Sequence, residues 1–306
     1  MSTSSSASIN QHLSSYAHGI AQDMSRRLAR FIAPLVPTGA SSGQFVKFDD
    51  KNSFQIYETL RALGGPNNRI EFAKTDPFFN CKPRGLAIAI DDEERKKAGD
   101  WASNLEEAKV KTLVSTTMLG HENDVIVAVL AGLTAVSGKG VWSDAAIDPI
   151  AQIDEQILAI ATETGMLPNK LVLSLSGWNI IKNHALVKAR TTGTSRDGLR
   201  MSELASMLLN PMIQIEVGIL SKDTKKFGVA KNAVNVIGPE LLLFYGDDNP
   251  TQYDPSFAKT FTPTANSFDA VMQYRDEDNN SDVYKTNWSD DIQVVSTALA
   301  RRLSLS

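Results

Sequence analysis

The sequence predicts an α+β protein, and three observations support that fold class. Apolar residues recur three and four positions apart from about Ala102 to Leu133, which is typical of one long helix. A second helix at 149–164 and a series of short strands follow, as in an α/β block. The C-terminal stretch contains further strand-like segments joined by acidic turns. The strands are predicted at 170–175, 213–220, 234–237, 241–245, 268–275, 282–288 and 292–298.

Composition excludes several classes of protein. The chain has 306 residues, 42% hydrophobic and 22% charged, which argues against global disorder, collagen and coiled coil. This length corresponds to roughly two domains. The formal net charge of −4 argues against a dedicated nucleic-acid binder. The single cysteine, Cys81, excludes a disulfide-framed scaffold.

Signals for secretion or membrane insertion are not found in the sequence. The serine-rich start has no basic segment followed by an apolar one. The longest apolar run, around Val125 to Val136, is shorter than the ~20 residues that a membrane span needs. We therefore expect synthesis in a reducing cytoplasm and no membrane partner.

The N-terminal third does not predict a self-contained domain. A weak helical pattern runs from Ile9 to Val36, and a Gly/Ser-rich hinge follows at 38–43. From Phe45 to Ile90 the chain contains short strand-like segments, a turn cluster at 64–68 and imperfect alternation of apolar residues. This stretch is predicted to be an excursion from a compact body.

Local signals define the two main helices. Asp148 can cap the helix at 149–164, Pro149 suits its first position, and Gly165 suits the position just after its end. In the longer helix, Gly120 marks a point where a kink or a break is expected.

No motif for catalysis or ligand binding is complete. The stretch from Gly132 to Gly140 resembles a phosphate-binding loop, but it has the wrong spacing and lacks the Ser or Thr after lysine. The stretch from Asp276 to Asp282 lacks the Gly and Glu of a calcium-binding loop. Ser174 and Ser176 lack the first glycine of a nucleophile elbow. The four histidines are scattered, and Cys81 has no CxxC partner. The sequence thus predicts no enzyme, no cofactor and no metal site.

One basic cluster has two interpretations. Arg26, Arg27 and Arg30 could contact phosphates, or they could form a solvated helix face or meet acidic partners in an assembly. Both interpretations stay open at this point.

Several residue strings, taken in order, resemble a known family. They are Gly85–Arg95, His121–Val127, the Trp142–His184 stretch with its Thr-Gly and Pro-Asn turns, and Trp288–Ile292. Their order is similar to that of the tailed-bacteriophage major capsid proteins, which share the Hong Kong 97-like capsid fold. In that fold a strand leaves an extended loop and meets an acidic linker before a long spine helix.

The resemblance implies a division of the chain. Residues 1–44 would form an N-terminal arm, and residues 45–90 would contain the extended loop that lies over a neighbouring subunit. Residues 91–142 and 267–306 would form a peripheral domain with the spine helix and an antiparallel sheet. Residues 143–266 would form an axial domain with an α/β core.

The resemblance also implies intersubunit contacts through the loop. The candidate contact residues are Lys51, Phe54, Tyr57, Phe72, Lys74, Phe78 and Phe79. Alternatively, the aromatic residues among them belong to the core of their own chain. Some family members crosslink a loop lysine to a neighbour's asparagine, but nothing around Lys51 or Lys74 identifies a partner. Arg26, Arg27 and Arg30 would be an inner-face cluster.

The function that the resemblance implies is a structural one. Copies of the chain would form pentamers and hexamers of an icosahedral virion shell, assembled in the host cytoplasm and enclosing double-stranded DNA that is held without sequence specificity. Scaffolding, portal and decoration proteins are further expected partners. The alternatives are an encapsulin-like nanocompartment shell and, with less support, a cytoplasmic α/β enzyme that uses the 143–266 block.

Overall fold

The computed structural model of the chain describes residues 8–23, 28–47, 56–67, 69, 77–191, 199–223, 230, 232–263 and 270–305. It contains the predicted mixture of helices and strands. The helices are α1 (Gln11–Asp23), α2 (Ala29–Ile32), α3 (Asp92–Ala98), α4 (Ala102–Gly132), α5 (Pro149–Thr164), α6 (Leu175–Asn183), α7 (Ala185–Thr191) and α8 (Met201–Met207). A 3₁₀ turn at Gly99–Trp101 joins α3 to α4.

The strands are mostly short. They are β1 (Ser8–Ile9), β2 (Leu35–Thr38), β3 (Ser42–Gln44), β4 (Phe78–Asn80), β5 (Lys82–Asp91), β6 (Lys170–Ser174), β7 (Gln214–Gly218), β8 (Ser221–Asp223), β9 (Ala233–Asn235), β10 (Glu240–Phe244), β11 (Ala258–Pro263), β12 (Val271–Asp276), β13 (Ser281–Val294) and β14 (Ala300–Ser304). Two pairs, β3 with β4 and β8 with β9, form separate two-stranded ribbons.

A six-stranded sheet is built around β13. The strand order is β1-β12-β13-β11-β2, and β5 also pairs with β13. The pairs are antiparallel except for β11 with β2, which run parallel. Because β13 is 14 residues long, its first half pairs with β12 and its end with β11. One strand therefore connects both parts of this sheet.

The continuity of β13 corrects the sequence prediction of two strands, 282–288 and 292–298. The polar stretch between them, Ser289 to Asp291, suggests a turn in the sequence, but it is paired strand in the structure. Asp290 is buried there and forms an ion pair with Arg84 of β5, so its charge is compensated within the sheet.

A four-stranded sheet with the order β14-β10-β6-β7 forms the second core. Every residue of β6 and β10 is buried, because helices cover both faces of this sheet. On one face, Ile150, Ile153 and Ile157 of α5 pack with residues of α6, α7 and α8. On the other face, the C-terminal part of α4 and the short helix α2 pack against Val172, Leu242 and Phe244.

Helix α4 is continuous and connects the two cores. Its first half packs with α1, β5 and β13 through Val110, Val114 and neighbouring residues, and its second half packs against the four-stranded sheet. The break that was one of the two expectations at Gly120 does not occur, because α4 runs as one helix through that residue. The predictions for α5 are confirmed. The bounds of α5 are those predicted, the Asp148 side chain accepts from Ile150 N, and Gly165 is left-handed with φ 71°.

The last strand joins a different sheet from its sequence neighbours. β14 pairs with β10 in the four-stranded sheet, whereas β12 and β13 belong to the six-stranded sheet. Residues 267–306, which the sequence-based division assigns together to a peripheral domain, therefore contribute to both sheets.

A substitution at Gly140 tests the packing between β14 and the turn that follows α4. Its φ is +92°, and a Cβ built there would lie 2.2 Å from the carbonyl oxygen of Ser304. We expect Gly140→Ala to lower the free energy of unfolding by about 2 kcal/mol or more, measured by urea denaturation of the unassembled subunit. The matched control is Gly120→Ala in α4, where an added Cβ would have no neighbouring atom within 4 Å. This substitution should raise the free energy of unfolding by about 0.5–1 kcal/mol. Equal effects of the two substitutions would contradict this packing.

Candidate functional site

An exposed apolar segment lies between β3 and β4. Residues 56–67 contain no helix or strand, and Ile56, Leu60 and Leu63 are 101%, 81% and 108% exposed. Side chains of this type are normally covered in a folded protein, and a cluster of them left in water indicates a contact surface. Tyr57 in the same segment is half-buried.

The base of this segment belongs to the chain's own core. Phe79 is buried and stacks on Phe261 with 4.6 Å between ring centroids, and Phe45 packs on the same ring at 5.3 Å. Phe78, the preceding residue of β4, is 70% exposed. Successive side chains of a strand point to opposite faces, so only one of the two can reach this core.

This geometry corrects one candidate contact residue and retains two. Phe79 is an internal core residue, while Phe78 and Tyr57 remain accessible to a partner. Arg30 is exposed on α2. The remaining predicted contact and inner-face residues lie outside the described part of the chain; they are Arg26, Arg27, Lys51, Phe54, Phe72 and Lys74.

Cys81 lies beside this aromatic cluster, and its surroundings lower the reactivity of its thiol. Its thiol donates to the carbonyl oxygen of Phe261 at 3.4 Å. Burial, followed by the charges of Asp291 and Asp290, raises its pKa to about 11. A thiol with so high a pKa carries little thiolate near neutral pH, so this residue is not suited to nucleophilic chemistry.

A cluster of charged side chains joins α4 to the six-stranded sheet. Nδ1 of His121 lies 3.1 Å from Oδ2 of Asp290, and both residues are buried. Oδ1 of Asp290 lies 2.6 Å from Nε of Arg84, whose guanidinium also pairs with Asp124. The charge on the buried Asp290 is thus balanced by a cation of β5 that reaches back to α4.

The two residues between His121 and Asp124 bind other parts of the chain. The buried carboxylate of Glu122 accepts from the backbone amides of Leu28 at 2.9 Å and Ala29 at 2.8 Å. The side-chain oxygen of Asn123 accepts from Nζ of Lys222 in β8 at 2.5 Å. Four consecutive residues of α4 therefore contact β13, the α2 segment, the β8–β9 ribbon and β5. We call residues 121–124 the polar hub.

The sequence contains a signal for this hub, although the signal does not identify the residues that the hub contacts. Residues 121–124 are four consecutive polar residues in a helix that is otherwise apolar from Leu113 to Leu130 apart from Ser, Thr and Gly. In an amphipathic helix, four consecutive polar residues must place some side chains toward the core. The partners lie 40 to 169 residues away in the chain, so the sequence pattern does not identify them.

A second charged contact closes the C-terminal end of α4. Arg302 of β14 donates to the carbonyl oxygens of Leu130 and Leu133 at 2.9 and 3.2 Å. Its guanidinium also forms a two-point pair with Glu240, at 2.9 and 2.7 Å. An arginine at this position satisfies terminal carbonyls of the helix and interacts favourably with its dipole.

Ion pairs hold α3, the short helix between β5 and α4. Asp92 receives two hydrogen bonds from Arg275, at 2.7 and 2.6 Å, and this guanidinium holds the pKa of the carboxyl below its usual range. Arg95 pairs with Glu106 of α4 at 2.7 Å and with Asp282 of β13. These contacts fix the position of α3, whose first turn is acidic, between β5 and α4.

Two residues that the sequence offers as candidates for catalysis or metal binding have structural roles in the fold. Ser174 caps α6 by accepting from Gly177 N at 3.1 Å, and His184 contacts the carbonyl oxygen of Asp144 at 3.3 Å. Within the part of the chain that the structure describes, no group of three or more metal-binding side chains occurs, and no helix is long and apolar enough to cross a membrane.

Comparisons with known proteins give the chain's relatives. No protein-family model matches the chain. It is 25% identical over 268 residues to the major capsid protein of Burkholderia phage BcepMu, a match that covers 82% of both proteins. It is 23% identical over 238 residues to the major capsid protein of Pseudomonas phage JBD67, covering 76% of this chain and 75% of the relative. The chain is a homologue of phage major capsid proteins.

Solved structures share the fold of this capsid-protein homologue. A phage-related protein from Bordetella bronchiseptica RB50 has a TM-score of 0.76 with 22% identity, covering 98% of each chain. The capsid of Myoviridae phage XM1 has a TM-score of 0.53 with 11% identity, covering 100% of this chain and 95% of the other. The SrpI encapsulin of Synechococcus elongatus has a TM-score of 0.50 with 8% identity, covering 99% and 92%. The predicted Hong Kong 97-like capsid fold is confirmed.

Substitutions at Glu122 test whether the polar hub of this capsid-protein homologue holds the α2 segment. Glu122→Ala leaves two buried amide groups without their acceptor, at a cost of about 1–3 kcal/mol each. We expect it to lower the free energy of unfolding of the unassembled subunit by about 3 kcal/mol in urea, and Glu122→Gln by less because one acceptor oxygen remains. The control is Glu107→Ala, at a half-buried position of the same helix. If Glu122→Ala and Glu107→Ala cost the same, the hub does not hold the α2 segment.

Cys81 tests the packing at the base of the exposed segment. A shift of its pKa from 9.0 to about 11 lowers the thiolate fraction at pH 8 by roughly a hundredfold. We expect iodoacetamide to label the folded chain at least that much more slowly than the urea-unfolded chain, with the rate rising with pH toward 11. Labelling at the unfolded rate at pH 8 would show that the aromatic cluster does not enclose the thiol.

Proposed function

We propose that the chain is the major capsid protein of a phage, whose copies form pentamers and hexamers of an icosahedral shell around double-stranded DNA. The observation that carries this proposal is the exposed segment 56–67 on a chain related to capsid proteins. Ile56, Leu60 and Leu63 gain roughly 1.5–3 kcal/mol each when a neighbouring subunit covers them. Repeated around rings and across a shell, such contacts sum to a stable particle.

We propose that the subunit is divided in the way that the resemblance to capsid proteins implies. Residues 1–44 act as an arm, 45–90 as the extended loop, 91–142 with 267–306 as the peripheral domain, and 143–266 as the axial domain. The pairing of β14 with β10 supports counting residues 300–304 with the axial sheet instead. Helix α4 belongs to the peripheral domain by this division, and its second half packs against the four-stranded sheet of the axial domain.

The packaged DNA is held mainly by enclosure. The subunit has a formal net charge of −4, so general attraction to phosphates does not explain packaging. Arg26, Arg27 and Arg30 supply local phosphate contacts on the inner face, and Arg30 is exposed as this role requires. Scaffolding, portal and decoration proteins complete the virion, which assembles in the host cytoplasm.

A nanocompartment shell is the second candidate, since the encapsulin of Synechococcus elongatus shares the fold. The two shells differ in cargo. Particles isolated from the native source would contain nuclease-protected double-stranded DNA if the chain is a phage capsid protein, and enzyme cargo without a genome if it is a nanocompartment protein.

The exposed segment can be tested by replacing its apolar residues. We expect Ile56→Ser, Leu60→Ser and Leu63→Ser combined to abolish closed particles in negative-stain electron microscopy, because the neighbour loses its apolar contact. The subunit's thermal unfolding should stay within about 2 °C of wild type, since these side chains are exposed in the single chain.

The matched control replaces an exposed aromatic residue elsewhere, Tyr253→Ser, and should leave particle formation intact. Normal particles from the triple variant would contradict the role of the segment. Failure of the wild-type chain to form particles, tubes or rings at any salt or protein concentration would contradict the shell function itself.

A further inference from the structure

A second exposed apolar group lies at one end of the four-stranded sheet. Leu167, Leu209 and Met212 are 52%, 55% and 84% exposed. They lie in two turns that are tied together, because Asn210 donates to the carbonyl oxygen of Pro168 at 2.9 Å. We call these three residues the apolar turn.

Hydrogen bonds hold the apolar turn in place. The amide of Leu209 donates to the Asp154 side chain of α5 at 2.8 Å, and the amide of Met212 donates to Oδ1 of Asn210 at 3.2 Å. The next strand begins at once, with the amide of Gln214 donating to the carbonyl oxygen of Asn169 at 2.8 Å. Because its backbone is fixed, the turn loses little conformational freedom when it binds a partner.

A concave surface lies beside α6. Its volume is about 560 Å³, which is large enough for a few side chains. The floor contains Trp178, which packs against the adjoining core, and Leu175, which is 46% exposed. The lining residues are Leu175, Ser176, Trp178, Asn179, Lys182 and Asn235. We call this surface the α6 pocket.

The turn and the pocket lie at opposite ends of the same sheet. The apolar turn is bonded to Pro168 and Asn169, just before β6 begins, whereas the pocket starts at Leu175, just after β6 ends. A five-residue strand separates the two by roughly 15 Å. The turn of one subunit therefore cannot enter its own pocket, but it can reach that of another copy.

Charge also suits a contact between copies. Lys182 lines the pocket, whereas the backbone of the turn donates a hydrogen bond to an acid of α5, Asp154. An apolar projection beside an acid thus matches an apolar recess beside a lysine, and these opposite charges favour docking of the turn into the pocket over a contact between two turns or two pockets.

We propose that, in each ring of the shell, the apolar turn of one subunit docks into the α6 pocket of the next. Two different, complementary surfaces on opposite ends of one subunit make a head-to-tail contact, which generates a closed ring when the rotation between copies closes. This inference rests on the proposed shell function and adds which surfaces meet within a ring.

Paired cysteines test the contact directly. Met212→Cys and Asn179→Cys are made singly and together, with the buried Cys81 retained, and assembled particles are treated with a short bismaleimide. A head-to-tail contact predicts no linkage within particles of either single variant, dimers in particles assembled from a mixture of the two, and a ladder up to the ring size in the double variant. Wild-type particles serve as the control for Cys81.

The outcomes separate this contact from the shell function. If the variants form normal particles and the mixture gives no dimers, the contact is wrong and the shell function stands. Linkage by Met212→Cys alone would indicate a symmetric contact and would also overturn it. If dye labelling of Asn179→Cys is equally fast in particles and in free subunits, the pocket is open to a different ligand and the proposal fails. Absence of particles from wild type overturns both proposals.

A charge substitution gives a readout that does not depend on cysteine chemistry. Met212→Lys should raise the concentration needed for assembly about tenfold or more, because it places a cation against Lys182 of the pocket, while leaving the subunit's thermal unfolding unchanged, since Met212 is largely exposed. Trp101→Lys, at an exposed apolar position before α4, is the matched control and should assemble as wild type. Equal assembly of the two variants would overturn the proposed docking.

Discussion

The buried carboxylate of Glu122 is the contact on which the arrangement of this subunit depends. A carboxyl group buried in an apolar core is costly unless hydrogen bonds compensate it, and here two backbone amides of the N-terminal segment donate to it. That segment then places Ile32 and Ala33 on the face of the four-stranded sheet that α4 also covers. The neighbouring residues of the polar hub bind β13, β5 and the β8–β9 ribbon, so one helical turn holds four parts of the chain in register.

The long helix could not perform this role with apolar contacts alone. Apolar packing is non-directional, whereas a charged pair or an amide–carboxylate bond is satisfied in one geometry only. Arg302 and Glu240 repeat the principle at the C-terminal end of α4, where the guanidinium binds two helix carbonyls and a carboxylate of β10. Charged contacts at its middle and its end thus set the position of α4 between the two sheets.

The molecule separates apolar residues that stabilise the single chain from apolar residues that stay exposed on it. Phe79 and Phe78 are adjacent, yet one stacks in the internal aromatic cluster and the other faces water. Ile56, Leu60 and Leu63 continue the exposed set, and the apolar turn and the α6 pocket form a second one. Under the proposed shell function, a single chain must stay unaggregated while many copies bind one another, and several small apolar surfaces among polar ones meet both requirements better than one large patch.

The sequence by itself determined the features that depend on neighbouring residues. The fold class, the bounds and caps of α5 and the long helix α4 follow from short-range periodicity and capping, and the order of elements carried the likeness to capsid proteins. Tertiary structure alone decided that Phe79 is internal, that β13 runs on through Asp290, and that β14 joins the other sheet. The physical reason is distance along the chain: Phe79 meets Phe261, Asp290 meets His121, and Arg302 meets Glu240. A buried polar residue is explained only by a partner that folding brings from far away, and a local pattern cannot identify that partner.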